Sequence, residues 1–149
     1  MIATKERVED MKVDIGISEG SRKAITDALS QVLADSYTLY LKTQNYHWNV
    51  TGTLFYPLHE QFEEQYSELA DAIDEIAERI RALGFRAPGT YKEFQQLTSI
   101  EEETDHPEAM EMVRRLAADN EQVLRTVREA LKPADEADDE ATMDLLTQR

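Results

Sequence analysis

Residues 57–84 read PLHEQFEEQYSELADAIDEIAERIRALG. Leu58, Phe62, Leu69, Ile73, Ile76 and Ile80 recur at steps of three, four and seven, the spacing of one face of a long helix. Pro57 suits its first turn and Gly84 its end, and neither Gly nor Pro interrupts the span between them. Upstream, Ile25, Ala28, Leu29, Val32, Leu33, Ser36, Tyr37, Tyr40 and Leu41 repeat the pattern, predicting a helix from about Ser21 to Val50 that Thr51-Gly52-Thr53 breaks. Downstream, residues 85–106 form a long connection with a short helical piece from Tyr91 to Ile100. A third long helix is expected from Pro107 to about Leu131, with Pro133 ending it, and the segment from Ala134 to Arg149 reads as the start of a fourth. No stretch alternates in polarity as a strand would. Four helices with a crossing connection between the second and third predict an all-α bundle.

The 149 residues carry 31 Asp and Glu against 16 Lys and Arg, a formal charge of −15. Nucleic-acid binding through a basic face is therefore excluded as a default, because phosphate neutralisation needs clustered Lys and Arg. Cysteine is absent, which removes disulfide, thiol and zinc-finger chemistry. No run approaches the ~18 apolar residues of a membrane span, and the start, MIATKERVEDMK, lacks the apolar core of a secretory signal. A cytoplasmic protein is expected. Residues 1–20 hold three bases and five acids and read as a flexible arm, with 21–149 as the bundle.

His is the commonest ligand for transition metals, and the chain has three. His47 lies near the end of the first helix. His59 lies one turn into the second with Glu63 four residues on, and Asp74 and Glu78 repeat that spacing further along. Two His and three carboxylates form a hard, oxygen-rich set suited to iron or manganese. Solvated acids on a helix face beside two incidental histidines would leave the same pattern. Geometry adds a constraint, since His59 and Asp74 are ~22 Å apart on one helix and cannot share an ion within one chain. A second copy of that helix, crossing antiparallel about a two-fold axis near Ser67–Leu69, would bring 59/63 against 74/78. Each dimer would then hold two identical sites, with Tyr66, Leu69, Ala70 and Ile73 supplying the contact.

The run HWNVTGTLFYPLHEQFE from His47 to Glu63, followed by IDEIAERIRALGFRA from Ile73 to Ala87, resembles the two signature segments of the Dps family, the ferritin-like mini-ferritins. The match extends from Leu29 to about Leu146. The resemblance implies a ferritin-like four-helix bundle with a short helix in the crossover, and a hollow dodecamer. It implies ferroxidase centres at the two-fold interfaces, with His47, His59 and Glu63 from one subunit and Asp74 and Glu78 from its partner. Such centres bind iron, with one or two positions each, and oxidise Fe(II), typically preferring hydrogen peroxide to dioxygen. The ferric mineral is stored inside, which limits oxidative damage. Trp48 resembles the family's aromatic residue that quenches stray oxidising equivalents, although plain packing would explain it equally. Each ligating His should be neutral, with its second ring nitrogen held by an acceptor that the sequence does not identify.

Glu103 and His106 spell the E-x-x-H of larger di-iron proteins, but Pro107 follows at once, so His106 is expected in a loop. DNA-binding members of the family use a Lys-rich arm, which residues 1–20 lack, so direct DNA binding is not expected. Within the acidic stretch 135–144, Asp135 and Asp139 are candidates for lining a pore, the alternative being a solvated helix start. The resemblance implies a last helix that continues past Arg149, so either the sequence is truncated there or this helix is short. The leading alternatives are a non-catalytic acidic metal-binding or interaction bundle and a DNA-compacting protein.

Overall fold

The structure is a computed structural model that describes residues 12–149. Five helices follow one another: α1 (Glu19–Asn49), α2 (Phe55–Ala82), α3 (Tyr91–Leu97), α4 (Ala109–Glu136) and α5 (Glu140–Thr147). No strand occurs among the described residues. Helices α1, α2, α4 and α5 form the bundle and α3 lies in the crossover, as the sequence predicts. Of the expected arm, residues 1–11 lie outside the described residues. The stretch 12–18 leads into α1, where the Ser18 hydroxyl accepts from the Ser21 amide as an N-cap.

Two apolar clusters fill the bundle along its length. One gathers Ile25, Leu29, Leu33, Ile76, Ile80 and Val127; the other gathers Leu39, Tyr46, Val50, Phe62, Met112 and Leu116. Leu41, Met110 and Leu124, which also fit the apolar period, are exposed instead. The end of α2 needs its glycine twice over. Gly84 sits at φ +94°, and a Cβ there would come within 2.8 Å of the Val13 side chain. Its backbone closes the helix as a Schellman turn, with the Gly84 amide bonded to Arg81 and the Phe85 amide to Ile80.

Two boundaries differ from the sequence reading. Pro133 does not end α4, which continues to Glu136. The proline costs one backbone hydrogen bond near a terminus, and the fully buried Ala134 holds the last turn against the core. The helix stops at Asp138, a non-glycine residue at φ 51°, where the amides of Asp138 and Asp139 close a second Schellman turn onto Asp135 and Ala134. Helix α3 ends at Leu97 rather than Ile100, because Thr98 and Ser99 turn towards a buried acid on α1.

That acid is Asp35, 1% exposed. It accepts hydrogen bonds from the Thr98 hydroxyl (3.0 Å), the Ser99 amide (2.6 Å) and hydroxyl (2.8 Å), and the Thr126 hydroxyl (2.6 Å). Seven residues along α1, the buried Lys42 pairs with Asp119 at 2.8 Å and donates to the Glu101 carbonyl at 3.0 Å. Four further, the Tyr46 hydroxyl donates to Glu103, which Arg115 also holds at 2.7 and 2.9 Å. Residues 98–103 are thereby fastened alongside α1 at three points, each backed by α4. This fixes a connection that has little secondary structure of its own. At the far end, Asp139 caps α5 by accepting from the Thr142 amide at 3.1 Å and takes Arg79 of α2 at 2.8 Å. Among the described residues, no helix is long and apolar enough to cross a membrane.

Removing a buried carboxylate that satisfies four donors strands those donors. Asp35→Ala should therefore cost about 3 kcal/mol, read as a lower urea midpoint at fixed protein concentration. Asp27→Ala, which removes an exposed ion pair to Lys23, should cost less than about 0.5 kcal/mol. Burial pushes the Asp139 carboxyl up, but Thr142 and Arg79 outweigh it and hold it below the usual aspartate value. Such a group stabilises the fold above its unfolded value, and the contribution is lost as pH falls through the lower folded one. The Thr142 amide resonance should therefore shift on acidification with a midpoint below the usual aspartate value, and should lose that step in Asp139→Asn.

Candidate metal centre

His47 occupies the last turn of α1 and His59 the second turn of α2, and residues 50–54 bring the two helices back to back. The imidazole rings stack with centroids 3.9 Å apart and planes 14° from parallel. Their polar contacts are reciprocal: His47 Nδ1 lies 2.7 Å from the His59 carbonyl, and His59 Nδ1 lies 2.7 Å from the His47 carbonyl. A carbonyl oxygen only accepts, so each Nδ1 carries the hydrogen and donates it. In the neutral rings the lone pair then belongs to Nε2, the state a metal ligand needs. The acceptors missing from the sequence reading are thus main-chain atoms of the histidines themselves. The His47 carbonyl is available because a helix leaves its last four C=O groups without intrahelical partners.

Aromatic rings surround the pair. Phe55 stacks on His59 at 4.9 Å and 24°, and Tyr66 sets its ring edge-on to His47 at 5.2 Å and 76°. His47 is 7% exposed and His59 half-buried, so the pair is shielded without being sealed. Glu63 is exposed one turn after His59. Tyr66, three residues on, shares that side of α2, and partial burial and then the Glu63 charge push its phenol above the ordinary value.

Asp74 and Glu78 are exposed on α2 and do not join the histidines within the chain. Among the described residues, no group of three His or acidic side chains is placed to hold an ion. His59, Glu63, Tyr66, Ala70, Asp74 and Glu78 follow one another at three- and four-residue steps, and all are exposed or only half-buried. One side of α2 is therefore left uncovered by its own subunit.

A family profile described as the ferritin-like domain matches residues 26–149. DNA protection during starvation protein 2 of Bacillus anthracis is 41% identical over 124 residues, covering 83% of this chain and 85% of that protein. The chain belongs to the Dps family of ferritin-like proteins. Solved Dps structures agree with this. The protein from Vibrio cholerae O1, described as a member of a broad superfamily of ferritin-like diiron-carboxylate proteins, superposes with a TM-score of 0.87 at 33% identity, over 90% of this chain and 84% of that one. The Dps protein from Bacillus brevis gives 0.83 at 37% identity, over 87% of each chain.

The remaining candidates fall elsewhere in this Dps fold. Trp48 is 61% exposed and lines a cleft of about 410 Å³ with Leu41, Lys42, Asn45 and Glu102. Asp135 is exposed on the last turn of α4, whereas the Asp139 carboxylate is buried and already engaged by Arg79 and Thr142. His106 is an exposed loop residue, and Glu103 is committed to Tyr46 and Arg115. The sequence reading missed Phe55 and the closeness of Tyr66 to His47. The spacing that puts Tyr66 seven residues after His59 contains that signal.

Nitrogen chemical shifts test the lock directly. His47 and His59 should show a protonated Nδ1 and a pyridine-like Nε2 above neutral pH. Proton-bearing Nε2 on either ring would contradict the reciprocal arrangement.

Proposed function

We propose that this protein oxidises Fe(II) at centres shared between two subunits and stores the ferric product, protecting its surroundings from oxidative damage. The observation that carries this reading is the stacked histidine pair, which offers two Nε2 donors, while the acids completing a ligand set stand ~22 Å along the same rigid helix. An antiparallel pairing of two α2 helices through their uncovered sides would bring Asp74 and Glu78 of one subunit to His47, His59 and Glu63 of the other. Both sites of the pair form together, because a two-fold contact is self-complementary.

Fe(II) is the substrate, and the ligand types suit its conversion. Carboxylates hold both Fe(II) and Fe(III), and two nitrogen donors leave positions open for an oxidant and for product departure. The carbonyl locks keep both rings in the ligating tautomer, and Phe55 restrains the outer face of His59. Hydrogen peroxide is proposed as the preferred oxidant over dioxygen, with one or two iron positions per centre. Twelve subunits would enclose the mineral. The exposed acids near the α4–α5 turn, Asp135 among them, would draw Fe(II) inward; Asp139 would shape that turn through its cap. Trp48 would intercept oxidising equivalents on the outer side. The charge of −15 opposes direct DNA binding, and a cytoplasmic setting fits the reading.

Loading Fe(II) without oxygen and then adding one pulse of peroxide should give fast ferric absorbance, slower with dioxygen and lost in His59→Ala. Mixed subunits test the shared centre. His47→Ala/His59→Ala protein and Asp74→Ala/Glu78→Ala protein should each be inactive. After dissociation and random re-pairing, roughly a quarter of the centres should recover, since each mixed pair rebuilds one of its two sites. No recovery in assembled mixtures would sink the shared-centre reading.

A further inference from the structure

The rings around the histidine pair continue. Tyr66, 5.2 Å from His47, meets Tyr40 at 5.9 Å; Tyr40 meets Tyr37 at 5.7 Å; and Tyr37 meets Tyr91 at 6.3 Å. Tyr37, Tyr40 and His47 share one side of α1, and Tyr66 enters from α2 between Tyr40 and His47. The first three tyrosines are half-buried and Tyr91, at the start of α3, is 74% exposed. Four of the chain's six tyrosines thus form one unbroken row leading away from the metal ligands. The other two stand apart: Tyr46 is tied to Glu103, and Tyr56 is exposed with no ring contact among the described residues. Trp48 has no ring contact there either.

We propose that Tyr66, Tyr40, Tyr37 and Tyr91 form a path that carries one-electron oxidising equivalents away from the histidine pair. This rests on the ferroxidase reading for its source of oxidant. When one Fe(II) meets peroxide without a second electron at hand, it yields Fe(III), hydroxide and a hydroxyl radical. Tyr66, the phenol nearest the histidines, gives that radical a hydrogen atom, leaving water and a Tyr66 phenoxyl. Tyr40 then returns an electron and a proton to Tyr66, Tyr37 to Tyr40, and Tyr91 to Tyr37. A thiol reductant restores Tyr91 to the phenol and becomes a thiyl radical. Packing alone accounts for aromatic rings in contact, since such pairs contribute about 0.5–1.5 kcal/mol each. It does not require hydroxyls, and Phe94, which stacks on Tyr37 at 4.7 Å, shows that phenylalanine is accommodated in the same cluster.

Tyr→Phe substitutions keep the rings and remove the phenol. Assembled protein is loaded with Fe(II), pulsed with peroxide beside a spin trap, and followed for ferric absorbance and for trap adducts located by mass spectrometry. The parent should carry adduct at Tyr91. Tyr40→Phe should lose it and accumulate adduct at Tyr66 with more oxidised His47 and His59, at an unchanged initial rate of iron oxidation; Tyr56→Phe should match the parent. Iron oxidation with adduct at Trp48 alone, or an unchanged pattern in Tyr40→Phe, overturns the path and leaves the ferroxidase reading standing. A second arm needs no iron. The chain has no cysteine, so Tyr56→Cys accepts a single ruthenium photo-oxidant. After a flash, the hole should reach Tyr91 in this variant and stop at Tyr66 when Tyr40→Phe is added. Arrival at Tyr91 in both, or in neither although the flash oxidises Tyr66, refutes the path whatever the iron assay shows.

Discussion

A straight helix is a ruler. Helix α2 runs unbroken from Phe55 to Ala82 and rises 1.5 Å per residue, so nothing within one subunit can fold Asp74 and Glu78 back onto His59. The rest of the molecule is arranged around that rigidity. Helix α1 lies against α2 and delivers His47 to the stack, and the two apolar clusters hold the pair in register. The opposite side of α2 stays uncovered. On the proposed reading, a site divided between two ends of one rod would make chemistry and assembly the same event.

The rod stays in place because the crossover is fastened independently of it. Asp35, Lys42 and Tyr46 each engage the stretch 98–103, and Thr126, Asp119 and Arg115 of α4 meet them from the other side. Buried polar groups are costly unless satisfied, which makes these ties demanding of register. A shift of one residue along α1 would strand all three. The crossover can thereby span the bundle without a hydrophobic face of its own, leaving α3 free to place Tyr91 and Phe94 beside Tyr37.

Much of this was legible in the sequence. Apolar periodicity outlined the long helices, and the fifteen-residue gap between His59 and Asp74 already put the two out of reach of one another within one chain. Other features depend on distant partners. Asp35 looks like any polar residue on a helix until Thr98, Ser99 and Thr126 are folded around it. Pro133 reads as a stop because local chemistry says so, and only the burial of Ala134 overrides it. The acceptors for the two histidine rings were invisible because they are peptide carbonyls, which every residue possesses. Asp139 carried a charge suggestive of an exposed pore, whereas the fold spends that charge on Arg79 and a helix cap.

The reciprocal lock between His47 and His59 makes the pose of both rings a property of the main chain. Among the described residues no third side chain hydrogen-bonds either ring, so residues beyond the flanking Phe55 and Tyr66 can drift or be redesigned without disturbing that pose. Asp74 and Glu78 stand on a different stretch of α2, exposed and without a hydrogen-bond or ion-pair partner among the described residues. The two groups are therefore separable, and substituting the acids leaves the imidazole pose untouched. The price of that freedom is confined to the connection at residues 50–54, where a single insertion would separate both carbonyls from both rings at once.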